Sequence, residues 1–298
     1  MIIPLWPYRF RQQYGGTLPT TYCCLDTETT GFNADRDVIV EIGHCLVKDG
    51  KVDSELNLVL NWQNHRVVPD HWVRARLDHL NQEMANKGTP YHMTYARMGR
   101  EGIAPEEGLT FYRNLLATLA EQDVPLVLHN ALFDEEMLAH AFAGFIGAED
   151  GFRYRDNGVF CTMGLEKANQ RASDRNCLPR DGETLREYFT RARHFGGSKT
   201  PASLDRHCVP KYRLAEKHGL DMRHVHGALF DAKLVHYLFE EFRELAGKAR
   251  QGLPPAPPPL VVPGGGTVLP NPFDGSSDRP PPTPASAQPA RRRGQRNR

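Results

Sequence analysis

Leu25-Asp26-Thr27-Glu28-Thr29-Thr30-Gly31 (LDTETTG) follows directly on the apolar run Thr21-Tyr22-Cys23-Cys24. The run reads as a buried strand from Thr21 to Asp26, ended by a turn at Gly31. Side chains two apart on a strand leave the same face, so Asp26 and Glu28 point together. Two carboxylates so placed repel, and one stays protonated unless a counter-charge arrives. An acidic pair at a strand end is the plain alternative, so other segments must decide.

Two distant segments add similar groups. His129 to Leu138 (HNALFDEEML) contains Asp134, and His224 to Ala232 (HVHGALFDA) contains His226 and Asp231. Asp134 stands where a short strand, Pro125 to His129, gives way to a helix from Glu135 to Phe145. A helix N-cap is an equally ordinary use of an aspartate there. His226 and Asp231 are five apart, about 140° around an ideal helix, and would not share a face in mid-helix. A helix starting near Gly227 or Ala228 removes the conflict and leaves His226 on the preceding loop. Histidine titrates near neutrality and can accept a proton there; a plain loop histidine reads the same way. Four carboxylates are hard ligands that suit Mg²⁺ or Mn²⁺, and they suffice for two ions. His224-Val225-His226 has no cysteine partner and does not read as a zinc pair.

The neighbouring sequence fixes the fold class. Val38 to Val47 reads as a second strand, Lys48-Asp49-Gly50-Lys51 as a hairpin turn, and Leu56 to Leu60 as a third strand. Strands so closely joined form an antiparallel meander. Helices are expected at Pro105 to Gln122, Thr162 to Ala168, Glu183 to Arg191, Ser203 to Cys208, Leu214 to His218 and Ala228 to Ala246. Strands first, then strands alternating with helices, give an α/β protein with a mixed sheet flanked by helices.

Composition sets the boundaries. Residues 252–298 hold 13 of the 23 prolines and end in RRRGQRNR. They read as a disordered, Pro-rich basic tail. The tail's six arginines against Asp274 and Asp278 give it +4, which leaves −3 of the chain's +1 for residues 1–251. That balance argues against a domain that grips nucleic acid by bulk positive charge. Residues 1–19 read as an N-terminal extension and 20–251 as the folded domain. Within it, 169–201 reads as an insertion with seven Lys or Arg against four acids; it is either a local phosphate-binding patch or a solvated charged face. The six cysteines form no CxxC pair and read as free thiols of a reducing compartment. No apolar run is long enough to span a membrane, and a cytoplasmic location follows by elimination.

Taken together, LDTETTG, HNALFD and HGALFDA resemble the three motifs of the DEDDh branch of the DnaQ-like 3′→5′ exonucleases, whose fold is RNase H-like. VIVEIG (38–43), FCTMGLEKA (160–168) and SLDRHC (203–208) support the resemblance, which runs from about Tyr22 to Leu245. The wording of the first motif is closest to the proofreading epsilon-like subunits of DNA polymerase III. The resemblance implies that Asp26, Glu28, Asp134 and Asp231 hold two divalent cations, Mg²⁺ or Mn²⁺, and that His226 deprotonates the attacking water. It places Thr29 and Phe32 beside the terminal nucleotide, where Phe32 either stacks on a base or simply packs. The expected activity is release of nucleoside 5′-monophosphates from a single-stranded 3′ end of DNA, in proofreading or repair. Two alternatives remain: an exoribonuclease of the RNase T or oligoribonuclease kind, and a non-catalytic binding subunit. The expected partners are nucleic acid and, through the tail, a polymerase or another protein.

Overall fold

The computed structural model describes residues 18–86, 93–148, 154–171, 174–195, 211–251, 260–261 and 267–268. Most of the N-terminal extension, the expected helix Ser203 to Cys208 and nearly all of the Pro-rich segment lie outside these residues.

β1 (Tyr22–Thr29) is the middle strand of a five-stranded mixed sheet. It pairs antiparallel with β2 (Ile39–Lys48), which pairs antiparallel with β3 (Lys51–Val59). The turn between β2 and β3 is Asp49-Gly50, both at positive φ (51° and 77°). That is the twist a two-residue hairpin needs, and it starts β3 five residues before the expected Leu56. On its other side β1 runs parallel to β4 (Leu126–Leu128), which runs parallel to β5 (Val159–Cys161). The expected mixed sheet, a meander extended by parallel strands, is therefore present.

The helices between these strands are α1 (Asp70–Asn86), α2 (Tyr95–Glu101), α3 (Pro105–Glu121) and α4 (Ala131–Ile146). After β5 come α5 (Thr162–Gln170), α6 (Leu185–Ala192), α7 (Lys211–Lys217) and α8 (Ala228–Gln251). α3 begins as expected, with Pro105 in its first turn beside Glu106 and Glu107. α1 and α2 were not expected. In α1 only Val73 and Leu77 are buried, so its apolar periodicity is faint.

β1 is buried on both faces, and each face has its own cover. Tyr22 and Cys24 face α8: the Tyr22 hydroxyl lies 2.8 Å from His236 Nδ1, and the ring meets Phe239 edge-on. Cys45, opposite Cys24, points its thiol at Ala232 O in the same helix. The other face carries His44 of β2, which contacts Tyr112 of α3 at 3.1 Å. The start of α8 comes so close to β2 that a Cβ on Gly43 would lie 2.1 Å from Leu229 N. Gly43 pairs with Asp26 in the β1–β2 register.

The second unit, residues 255–298, is described only where Leu260–Val261 pairs antiparallel with Thr267–Val268. No described helix is long and apolar enough to cross a membrane.

The contact at Gly43 yields a test. Gly43→Ala forces α8 off the sheet, with an expected loss of about 1–3 kcal/mol by urea denaturation, typical of an overpacked site. Gly144→Ala, inside α4 with nothing within 4 Å of the added carbon, is the control and is expected to gain up to about 1 kcal/mol from helix propensity.

Candidate functional site

The C-terminal end of β1 carries the first two acids. The pleat turns Asp26 and Glu28 toward the α8 face and Thr27 toward the opposite one. Asp231 lies in the first turn of α8, two residues after Leu229, whose backbone comes down on Gly43. One carboxylate oxygen from each of Asp26, Glu28 and Asp231 lies within 4.8 Å of the others. Segments more than 200 residues apart in sequence thus converge on one point. Oxygens around a single Mg²⁺ stand at most about 4.2 Å apart, twice a bond of roughly 2.1 Å. Three carboxylate oxygens within that span are a donor set suited to a hard divalent cation, with the side chains drawn closer on binding.

His226 stands on the loop before α8, as the 140° argument required. A 3₁₀ turn, Met222–His224, precedes it, and Gly227 N donates to His224 O at 2.9 Å. His226 itself has φ of 61°, in the left-handed region that a residue with a Cβ enters at a cost. Its Nδ1 lies 4.0 Å from Asp231 Oδ2.

Asp134 takes a different place. α4 begins at Ala131, with Asn130 at its N-cap in a left-handed conformation (φ 59°), so Asp134 is inside the first turn and is not the cap. Cys23 N donates across to Pro125 O, and the alternating pattern aims Thr27 N the same way. β4 ends at Leu128, short of Thr27, and Asp134 fills the gap. Its Oδ1 accepts from Thr27 N at 3.1 Å and Thr27 Oγ1 at 2.7 Å. Asp134 is only 2% exposed, and burial outweighs these bonds, pushing its pKa up to about 7. It is not in the three-carboxylate cluster. Thr27, whose contact with Asp134 joins the two motifs, was missed; its place between two acids on a strand was the available signal.

Thr29 is buried, and its hydroxyl donates to Gly31 O at 2.6 Å, shaping the turn. The turn is held further by Asp37, which accepts from Thr30 Oγ1, Asn33 N and the Arg76 guanidinium. It presents Phe32 at 87% exposure, its ring centroid 6.0 Å from that of Phe133. Phe32 thus stands clear of the core on a braced loop.

The insertion is less free to bind phosphate than its composition suggested. Arg186 makes a bidentate pair with Glu135, both bonds 2.7 Å, and also meets Asp156. Arg191 is held by Glu183 and by the carbonyls of Asn176 and Leu178. Arg171, Arg175 and Arg180 are exposed, and Lys199 lies outside the described residues. Cys23, Cys24, Cys45, Cys161 and Cys177 are free thiols.

The raised pKa of Asp134 has a direction that can be measured. A carboxyl whose folded pKa lies above its ordinary 3.8 stabilises the fold below that value and costs stability as pH rises through about 7. Asp134→Asn keeps an acceptor for Thr27 and removes the charge. With divalent cations chelated, the variant is expected to be more stable than the parent by about 1–3 kcal/mol at pH 8 and equal to it at pH 4. Thermal unfolding at the two pH values checks this.

No family model and no characterised protein matches this sequence. Among solved structures, E. coli exonuclease I in a zinc-bound complex with single-stranded DNA is 13% identical, with a TM-score of 0.46 over 78% of this chain and 42% of that one. The same enzyme with a dT13 oligonucleotide is 12% identical, with a TM-score of 0.44 over 78% and 43%. Exonuclease X in complex with 5′-overhanging duplex DNA is 18% identical, with a TM-score of 0.37 over 76% and 93%. The chain spans less than half the length of the exonuclease I structures. Likeness at this level carries no conclusion about activity, which must rest on the site.

Proposed function

We propose that this protein is a metal-dependent 3′→5′ exonuclease that hydrolyses the terminal phosphodiester of single-stranded DNA, in proofreading or repair. One observation carries the reading: Asp26, Glu28 and Asp231 converge within 4.8 Å, with His226 Nδ1 4.0 Å from Asp231. Asp26, Glu28 and Asp231 would hold Mg²⁺ or Mn²⁺, and Asp134, outside that cluster, would contact the shell of a second ion. When bound, such ions would supply positive charge against the phosphodiester and its leaving oxygen. His226, on the loop before α8, takes the proton of the attacking water. Phe32 offers a flat face to the terminal base, and stacking of this kind is indifferent to sequence.

The test is digestion of 5′-labelled single-stranded DNA, a mispaired primer–template and a matched RNA, side by side, with Mg²⁺ or Mn²⁺. Stepwise shortening with release of 5′-mononucleotides is expected, fastest on single-stranded DNA. Fastest digestion of RNA would replace the substrate and keep the chemistry. Asp26→Ala is expected to lose at least about 100-fold in rate, and His226→Ala a similar amount. Full activity in Asp26→Ala would refute the mechanism. Phe32→Ala is expected to raise KM roughly ten-fold with kcat little changed, the signature of a lost stacking contact.

A further inference from the structure

Glu41 lies opposite Glu28 in the β1–β2 register, on the sheet face that α8 covers, and the proposed chemistry gives it no part. It is 1% exposed. A carboxylate buried this deeply is retained only with partners, and its partners come from two separate elements. Arg97 Nη2 of α2 donates to its Oε1 at 3.0 Å, and Asn57 Nδ2 of β3 donates to the same oxygen. Its Oε2 is buried and accepts no bond among the described residues. That carboxylate also borders the histidine loop, since a Cβ on Gly227 would lie 3.9 and 4.0 Å from its two oxygens.

Asn57 has a second bond. Its Oδ1 accepts from Leu229 N at 3.1 Å. Leu229 is the second residue of α8, where a backbone N–H has no partner within the helix. The residue before the helix is Gly227, which has no side chain to act as a cap. The cap comes instead from β3, 172 residues away in sequence. Glu41 decides which way the Asn57 amide turns. A carboxylate only accepts, so the NH₂ must face Glu41 and the oxygen must face Leu229.

We propose that Arg97, Glu41 and Asn57 form a positioning relay that sets the start of α8, and with it Asp231 and His226, against Asp26 and Glu28. The proposal rests on the active-site reading above. Arg97 holds Glu41, Glu41 orients Asn57, and Asn57 pins Leu229. Leu229 is two residues before Asp231 and three after His226, so a drift of the helix start moves both. None of the three relay residues belongs to the three-carboxylate cluster, and the proposed chemistry gives them no part in it.

The test uses the full chain and three variants: Asn57→Ala, Asn57→Asp and the double exchange Asn57→Asp with Glu41→Gln. Asn57→Ala removes the cap. Asn57→Asp keeps an acceptor for Leu229 but sets two carboxylates against each other. The double exchange swaps donor and acceptor and conserves charge, so the relay can re-form. Three readouts are taken: hydrogen exchange at the Leu229 amide, Mn²⁺ binding by calorimetry, and kcat and KM on the labelled DNA strand. Asn57→Ala is expected to speed exchange at Leu229, to weaken Mn²⁺ binding roughly five-fold, the worth of one side-chain cap, and to lower kcat while KM holds. The double exchange is expected to recover all three relative to Asn57→Asp. The relay is overturned if Asn57→Ala melts earlier but keeps the parent's Mn²⁺ affinity and Leu229 protection, which is what a merely structural role would give. It is also overturned if the double exchange is no better than Asn57→Asp. If the parent protein digests no nucleic acid, the functional reading fails, and the exchange and calorimetric arms still decide the relay.

Discussion

The backbone of α8 rests on the backbone of β2 over Gly43, and the rest of the site follows from that contact. A side chain of any size there would meet Leu229 N at 2.1 Å. Because Gly43 pairs with Asp26, the low point of the sheet lies beside the first acid, and the helix that settles into it brings Asp231. The helix cannot shift elsewhere without exposing Leu234, Val235, Leu238 and Phe239, each worth about 1.5–3 kcal/mol when buried. The chain leaving the 222–224 turn must therefore enter the helix at a fixed point. The left-handed conformation of His226 is the result, costing about 1–2 kcal/mol that the burial of α8 easily exceeds.

β1 treats its acids differently on its two faces. Asp26 and Glu28 emerge half-buried, with Asp231 facing them, and a cation is the economical way to relieve three clustered carboxylates. Asp134 is sealed against Thr27 on the other face, where burial raises its pKa. A buried acid of this kind lowers the stability of the fold as pH rises toward neutrality. The same face shows why an aspartate is there at all. β4 stops short, Thr27 N needs an acceptor, and a helix entering from that side can supply one.

The sequence disclosed what depends on local period and spacing. Alternation placed Asp26 and Glu28 together, and the five-residue gap between His226 and Asp231 forced a helix boundary between them, which is found at Ala228. The hairpin at Asp49-Gly50 was equally plain. What stayed hidden depends on tertiary partners. The capping alternative for Asp134 fell because α4 starts three residues before it, with Asn130 as N-cap in a left-handed conformation rather than the extended one usual there. β5, three residues long, exists because β4 offers it an edge. α2 is seven residues, too short to show a period. The cap on α8 was invisible for the same reason, since Asn57 reaches Leu229 from another strand.

Charge explains how such a domain would meet a polyanion. Residues 1–251 sum to −3, and the basic insertion is partly committed inward, with Arg186 and Arg191 closing ion pairs that hold α6 to α4 and to its own loop. Long-range attraction is therefore weak, and recognition on the proposed reading must be short-range. The loop from Thr30 to Val38 has the parts for it. Asp37 and Arg76 brace its base, while Phe32 and Arg36 stand exposed at its tip. A stacked base there adds roughly 1–3 kcal/mol without help from bulk charge. On that reading the contact is set by stacking at the loop tip rather than by bulk charge.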